Sequence, residues 1–265
     1  MEQLADQIER FSLMRQHRRM LAQMNCYLTP ASRILDFGCG EGRRVYEYRD
    51  AGLNAYGFDV RPAAMYRVPA DAQYFRFALT GKPVNVPDYQ VDASTYRIPF
   101  ENESFDFVFS DSTMEHVLNH ELVFGELARV LKKGGVSIHT FPARYVPIEP
   151  HTFVPFGGAI QTYGWFLFWA SLGIRNQFQG GMGPVRCARH NLDYARSGVK
   201  YLPLDELETL CRRYYRDVEP VPHLWEVSDR GRGTFKGAFL CMPVVHRFAR
   251  VLYNRFVRVV LFLRK

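Results

Sequence analysis

Apolar positions along the chain follow two rhythms. Short, nearly continuous apolar runs appear as "RILDFG" from Arg33, "NAYGFDV" from Asn54, "SFDFVFS" from Ser104 and "VSIHTFPA" from Val136. Their length and their aromatic and β-branched content predict strands buried on both faces. Between them the apolar residues recur every third or fourth position, the period of an amphipathic helix. "RRVYEYRDAG" is such a segment, stopped by Gly52. "MEHVLNHELVFGELARVLKKGG" is another, closed by Gly134 and Gly135. Residues 3–27 read as an N-terminal helix, and "PLDELETLCRRYY" as a late one capped by Asp205. "DYQVDAS" reads as a short strand, and "RDVEPV" and "GAFLCMP" as the last two. Strands alternating with helices predict an α/β fold, a Rossmann-like and mostly parallel sheet with helices on both faces.

Two segments break the rhythm. Residues 144–198 are rich in Pro, Gly and aromatics and read as an insertion after the fifth strand. Within it, Phe153 to Ile174 carries no charge, and Trp165 and Trp169 lie four apart on one helical face. A bilayer span needs about 20 uninterrupted apolar residues, so this stretch is expected to form a lid, a homodimer interface or a monotopic membrane contact. The end of the chain, residues 244–265, separates its faces at helical spacing. Arg247, Arg250, Asn254, Arg255 and Arg258 fall on one side, and Val245, Phe248, Leu252, Val259 and Leu263 largely opposite. That pattern predicts a basic amphipathic C-terminal helix, lying on an anionic membrane surface or packed on protein. The expected organisation is a cofactor-binding core over 1–143, a substrate or lid insertion over 144–198, completion of the core sheet over 199–243, and the basic helix over 244–265.

Charge sharpens this picture. The net charge is +7, from 34 basic and 27 acidic residues. Six of the basic residues follow Met242, with no acidic residue among them. The rest of the chain is near balance, which argues against a nucleic-acid partner. Five cysteines, an odd number with no CxxC pair, argue against a disulfide framework or a zinc cluster. The acidic, amphipathic N-terminus lacks the plan of a secretory signal, so the expected location is the cytoplasm, with peripheral contact at the inner face of the membrane.

The chemistry centres on "RILDFGCGEGRRV". A strand that ends in Gly38, Gly40 and Gly42 and opens a helix gives up side chains where a ligand must approach the backbone. A dinucleotide fingerprint would read G-x-G-x-x-G, whereas Arg43 replaces its last glycine. Asp36 would also repel a pyrophosphate and suits a cationic ligand better. Asp59 ends the second strand about 20 residues on, where an acid accepts hydrogen bonds from both ribose hydroxyls. Asp92, followed by Ala93, ends the third, near an adenine edge.

Together, "ILDFGCGEG", "GFDV", "VDASTYRIPFENESFDFVFSDSTMEHV" and "ELARVLKKGGVSIHTFP" resemble the successive motifs of class I S-adenosylmethionine-dependent methyltransferases. The resemblance spans residues 30–142 and the final helix and strands, and implies a seven-stranded sheet with a reversed last hairpin. It also implies that S-adenosylmethionine is the cofactor. Asp36, Gly38 and Gly40 would hold its methionine part, Asp59 its ribose, and Asp92 and Ala93 its adenine. Ser110 and Asp111 would flank the transferable methyl.

Transfer of a sulfonium methyl is an in-line displacement, and an oxygen nucleophile also calls for a base. His116, His139, His151, Glu115 and Glu149 are the candidates, with His151, Glu149 and His116 preferred. "HVLNH" lacks the glutamate of HExxH, and no metal site is predicted. "FPARYVPIEPHTFVPFGG" leaves the fifth strand as a proline-stiffened loop, with Arg144 and Tyr145 as substrate candidates. Its Glu149-Pro150-His151 arrangement resembles methyltransferases of bacterial cell-surface glycan biosynthesis. The expected activity is O-methylation of a saccharide or lipid-linked glycan precursor. The alternatives are a small lipophilic acceptor such as a quinone, or a non-catalytic cofactor-binding partner subunit.

Overall fold

The computed structural model describes residues 12–60, 75–77, 96–220 and 251–265. Its strands are β1 (Arg33–Phe37), β2 (Asn54–Asp59), β3 (Phe75–Phe77), β4 (Phe105–Asp111), β5 (Leu131–Pro142), β6 (Asp217–Pro220) and β7 (Arg258–Arg264). Its helices are α1 (Ser12–Gln23), α2 (Arg43–Asp50), α3 (His120–Val130), α4 (Tyr163–Ser171), α5 (Pro184–Ser197) and α6 (Leu204–Cys211), with a further helical segment over 251–256. The strands form one mixed, mostly parallel sheet in the order β3-β2-β1-β4-β5-β7-β6. Only β7 runs antiparallel, to both β5 and β6. The chain builds outward from β1 to β3 and then returns with β4 beside β1. The strand order therefore reverses between β1 and β4, and a crevice opens at their carboxyl ends.

Alternation along the strands, interrupted in β4 between Phe105 and Phe107, divides the core between the two sheet faces. On one face Leu35, Phe37, Phe105, Val108, Val259, Leu261 and Leu263 pack under α3 and α6. On the other, Ile34, Phe107, Phe109, Val260 and Phe262 pack under α1 and α2. The insertion contributes a separate small core, in which Phe166 and Ala170 of α4 meet Cys187, Ala188 and Ala195 of α5.

Several expectations are corrected. The tail is not one amphipathic helix, because residues 258–264 are an interior strand. "VVLFL" is apolar at every position, and both faces of β7 are covered, a pattern that belongs to a buried strand. Asn254, assigned to a polar helical face, is buried and accepts a hydrogen bond from Val260 N at 3.1 Å, which fixes the turn from helix to strand. Among the described residues the partner of β6 is β7; "GAFLCMP", expected to pair with it, lies outside the described residues, as does "DYQVDAS". The third described strand is instead Phe75–Phe77.

The long helix predicted from Met114 is broken. A 3-10 turn at Met114–His116 precedes α3, and α3 ends at Val130. Gly134 and Gly135 therefore do not cap it. They lie in the irregular start of β5, where pairing jumps from Phe105↔Leu131 to Phe107↔Val136. Asp205 sits in the first turn of α6, and the N-cap is Pro203. The expected first helix is described only from Ser12. No helix of the described residues is long and apolar enough to cross a membrane.

The two halves of the tail should respond differently to truncation of a leucine. Leu261 is fully buried and Leu252 is 41% exposed. Leu261→Ala is expected to lower the unfolding free energy by about 2–5 kcal/mol, and Leu252→Ala by under about 0.5 kcal/mol. Urea denaturation checks both; equal, small losses would contradict the interior strand.

Candidate active site

The glycine turn joins β1 to α2 at the reversal point of the sheet. Gly38, Gly40 and Gly42 all have positive φ (77°, 52° and 76°), a conformation open to glycine at little cost. Gly38 also needs the space, because a Cβ built on it would fall inside the side chain of Thr113. The turn is tied to the end of β2. Phe58 O accepts from Gly38 N at 2.8 Å and from Cys39 N at 3.1 Å, and Asp59 Oδ2 accepts from Gly40 N at 2.9 Å. The turn is bare of side chains, and these three of its backbone donors are engaged within the protein.

Beside the turn lies a cavity of about 630 Å³, whose walls include Gly38, Gly40, Asp59, Thr113, His116 and Lys200. Its size is that of a small-molecule or cofactor site. Asp36 stands just behind this wall, 4% exposed. Burial, and then the nearby charge of Asp59, hold its carboxyl well above the usual carboxylate range. Such a group gains from a cation brought next to it. An S-adenosylmethionine carries an ammonium and a sulfonium, so the turn, the acids and the cavity suit it. Asp92 and Ala93 lie outside the described residues.

The residues after β4 depart from expectation. Ser110 is fully buried and does not reach the cavity; its Oγ lies 2.9 Å from Nδ1 of His139, its register partner on β5. His139 is also fully buried, and burial pushes its pKa down to about 3. It stays neutral and takes no part at the cavity. Asp111 is held by Arg258 Nη2 at 2.7 Å. The same guanidinium donates to Ser112 Oγ at 2.9 Å. The cavity wall is formed two residues further on, by Ser112 and Thr113. Ser112 has a φ of 55°, a strained conformation for a side-chain-bearing residue.

Next to this wall the structure collects Glu115, His116, Glu149 and His151, from segments far apart in the chain. Glu149 is 2% exposed and accepts five hydrogen bonds. Oε1 takes His151 Nδ1 at 2.7 Å and Tyr201 OH at 2.8 Å, and Oε2 takes His151 N, Thr152 N and Thr152 Oγ1. Against the cost of burial these bonds hold its pKa below the ordinary value, and they raise that of His151. The expected role of Glu149 as a base is thus corrected: a carboxylate so fully engaged is a positioning residue for His151. His116 donates Nδ1–H to Gly198 O at 2.8 Å, and its ring stands 4.9 Å from that of His151. Glu115 is 1% exposed, and neither carboxylate oxygen has a partner among the described residues. Burial raises its pKa to about 7.

A second cavity, of about 330 Å³, adjoins the first through the shared residues Leu118 and Lys200. Arg144, Arg196, Lys200 and Gln161 line it, with Tyr201 connecting it to Glu149. Arg144, a substrate candidate in the sequence, is among its lining residues, with its guanidinium 5.9 Å from the centroid of the Tyr145 ring. Tyr145 does not line it and packs on Phe256 at 6.2 Å and under Arg255 at 5.0 Å. The sequence carried no signal for Lys200, Tyr201 or Arg196. They stand on and after α5, and only the fold brings them to the loop that leaves β5.

Comparison with known proteins agrees with this geometry. Residues 35–139 match the family described as "Methyltransferase domain". The chain is 31% identical over 115 residues to the sterol 24-C-methyltransferase erg6 of Schizosaccharomyces pombe, covering 41% of this chain and 27% of that protein. It is 29% identical over 118 residues to an uncharacterized methyltransferase, Rv0224c, of Mycobacterium tuberculosis, covering 44% and 42%. The chain thus spans well under half the length of these curated relatives. Among solved structures, it is similar to the phosphoethanolamine N-methyltransferase 2 of Haemonchus contortus, at 16% identity and a TM-score of 0.49, covering 94% of this chain and 51% of that one.

The raised carboxyl of Asp36 makes a prediction with a definite sign. A folded-state pKa above the unfolded value contributes stability at acid pH, and that contribution is lost as pH rises through the folded value. Asp36→Asn should therefore raise the melting temperature of the ligand-free protein at neutral pH. The same change should weaken S-adenosylmethionine binding by about tenfold or more, the worth of one charge-assisted bond. Thermal unfolding and calorimetry read the two effects; unchanged affinity would separate Asp36 from the ligand.

Proposed function

Residues 35–139 form a class I S-adenosylmethionine-dependent methyltransferase domain, and from that premise we propose that the chain methylates an oxygen of a small, anionic acceptor. The observation that carries this reading is the meeting of two cavities of opposite character. One is walled by Asp59 and the bare glycine turn, with Asp36 behind it. The other is walled by Arg144, Arg196 and Lys200 and has no carboxylate in its lining. They join at Leu118 and Lys200, beside His116.

The bound cofactor would supply a methyl group already activated on a sulfonium. The protein's task is then alignment, which in well-oriented reactions is worth up to about 7–11 kcal/mol. Asp36 and the glycine turn favour the cationic amino-acid part, and Asp59 the ribose. Arg144, Arg196 and Lys200 draw an acidic acceptor into the adjoining space, where planar guanidinium groups suit carboxylate or phosphate. His116 lines the first cavity and stands against His151, which Glu149 holds in one tautomer, and the two ease loss of the acceptor's hydroxyl proton. The insertion that carries α4 and α5 serves as the acceptor's lid.

Within this class, a saccharide bearing a phosphate or carboxylate fits the cationic wall, as does the phosphorylated end of a lipid-linked precursor. The relatives named above lend glycans no support, so that choice rests on the charge pattern alone. A second reading, a lipophilic acceptor, is favoured by the exposed Phe153, Phe156, Phe168 and Leu172 of the insertion. Those same side chains are the surface through which a membrane or a second copy would be met.

His151→Ala is expected to leave S-adenosylhomocysteine affinity unchanged and to cut turnover by about 10²–10⁴-fold, the usual worth of acid–base assistance. Arg144→Ala and Arg196→Ala should raise KM for the acceptor with a smaller change in kcat. Labelled methyl transfer into acidic sugars, lipid-linked sugars and neutral lipids identifies the acceptor; transfer to neutral, apolar acceptors alone would overturn the anionic reading in favour of the second.

A further inference from the structure

Glu115, His116 and His151 form a grouping that methyl transfer to oxygen does not by itself require. One donor atom from each lies within 4.8 Å of the others. Two imidazoles and one carboxylate so close together are a set that suits divalent transition metals. About 2.1 Å bonds to a tetrahedral ion would hold such atoms about 3.4 Å apart, so closure about an ion needs side-chain movements of about an ångström.

Three further observations point to an ion. First, Glu115 is 1% exposed, yet both of its oxygens lack a hydrogen-bond partner among the described residues. A buried carboxylate without partners is costly, and a cation beside it removes that cost. Second, both histidines are prepared as ligands. His151 Nδ1 donates to Glu149 Oε1 at 2.7 Å, and His116 Nδ1 donates to Gly198 O at 2.8 Å. Each bond selects the tautomer whose lone pair is on Nε2. A ring N–H given to a carboxylate or carbonyl is the usual support of a metal-bound histidine. Third, the rings meet edge to face at 78°, with centroids 4.9 Å apart, close enough for both imidazoles to serve one ion. Glu149, buried and anchored by Tyr201, adds a second negative charge behind His151.

We propose that Glu115, His116 and His151 bind one divalent transition-metal cation beside the first cavity, at the wall that His116 lines, with open positions for water or an acceptor oxygen. Three protein ligands with open positions are the form of a catalytic and not a structural site. The ion adds a Lewis acid to the wall that His116 presents. A hydroxyl bound to it ionises more readily, its proton passing to solvent, so His116 and His151 ease that loss through the ion. This use of the site rests on the proposed function; the binding of the cation does not.

The test uses the whole chain, stripped with a chelator and titrated with Co²⁺, Zn²⁺ or Mn²⁺ alone. One Co²⁺ per chain is expected, with visible absorption bands from bound imidazole, together with a rise in melting temperature. Glu115→Gln, His116→Ala and His151→Ala should each weaken binding at least tenfold, and Glu149→Gln about 10–100-fold through loss of outer support. An unchanged circular dichroism spectrum and a cooperative thermal transition in each variant show that it folds. No cation bound, or equal binding by Glu115→Gln, would overturn the proposal while leaving the methyl-transfer reading standing. Full cation binding without methyl transfer to any acceptor would support the site and overturn that reading.

Discussion

A single carbonyl group holds the site in shape. Phe58 O, at the end of β2, accepts the amides of both Gly38 and Cys39, and the next residue, Asp59, accepts that of Gly40. The glycine turn is thereby locked to the neighbouring strand, and positive φ at Gly38 and Gly40 is what lets the backbone bend back to reach it. Because the donors are engaged from behind, the turn offers the cavity a surface without side chains and with acids close by. That surface favours a positively charged ligand and disfavours a pyrophosphate. Thr113, which leaves no space for a side chain on Gly38, closes the cradle from the β4 side.

The charge pattern extends outward from this point. Acidic groups gather at the glycine turn, where the charge of Asp59 adds to the cost that burial puts on ionising Asp36. Basic residues, Arg144, Arg196 and Lys200, line the second cavity. His116 lines the first, with His151 against it. Arg258, at the start of β7, neutralises Asp111 and braces Ser112, so the last strand reaches back to shape the wall built by the fourth. The reversed strand is therefore part of the site's support as well as of the core.

Local pattern made the central strands legible, because β1, β2, β4 and the regular part of β5 are buried on both faces and apolar nearly throughout. The glycine turn and its acids were legible because their chemistry is contained in a few adjacent residues. Segments decided by distant partners were not. "VVLFL" fits a helical face as well as a strand, and only the slot between β5 and β6 decides it. "LKKGG" reads as a helix end, but pairing with β4 draws it into a strand with an irregular register. Ser110 and His139 looked like site residues, yet strand register turns them toward each other inside the sheet. Glu149 and His151 were legible as a polar pair on a stiff loop. Their grouping with Glu115 and His116 was not, since it depends on how that loop folds back over the end of β4.

The central claim is that this crevice selects a cationic nucleoside through buried acids and a bare turn. Competition calorimetry on the unaltered protein tests it most directly, with S-adenosylmethionine titrated in the presence of adenosine and of a pyrophosphate dinucleotide. The account predicts a single S-adenosylmethionine site, far tighter than adenosine and undisturbed by the dinucleotide. Displacement by the dinucleotide at comparable concentration, or equal binding of adenosine and S-adenosylmethionine, would contradict it.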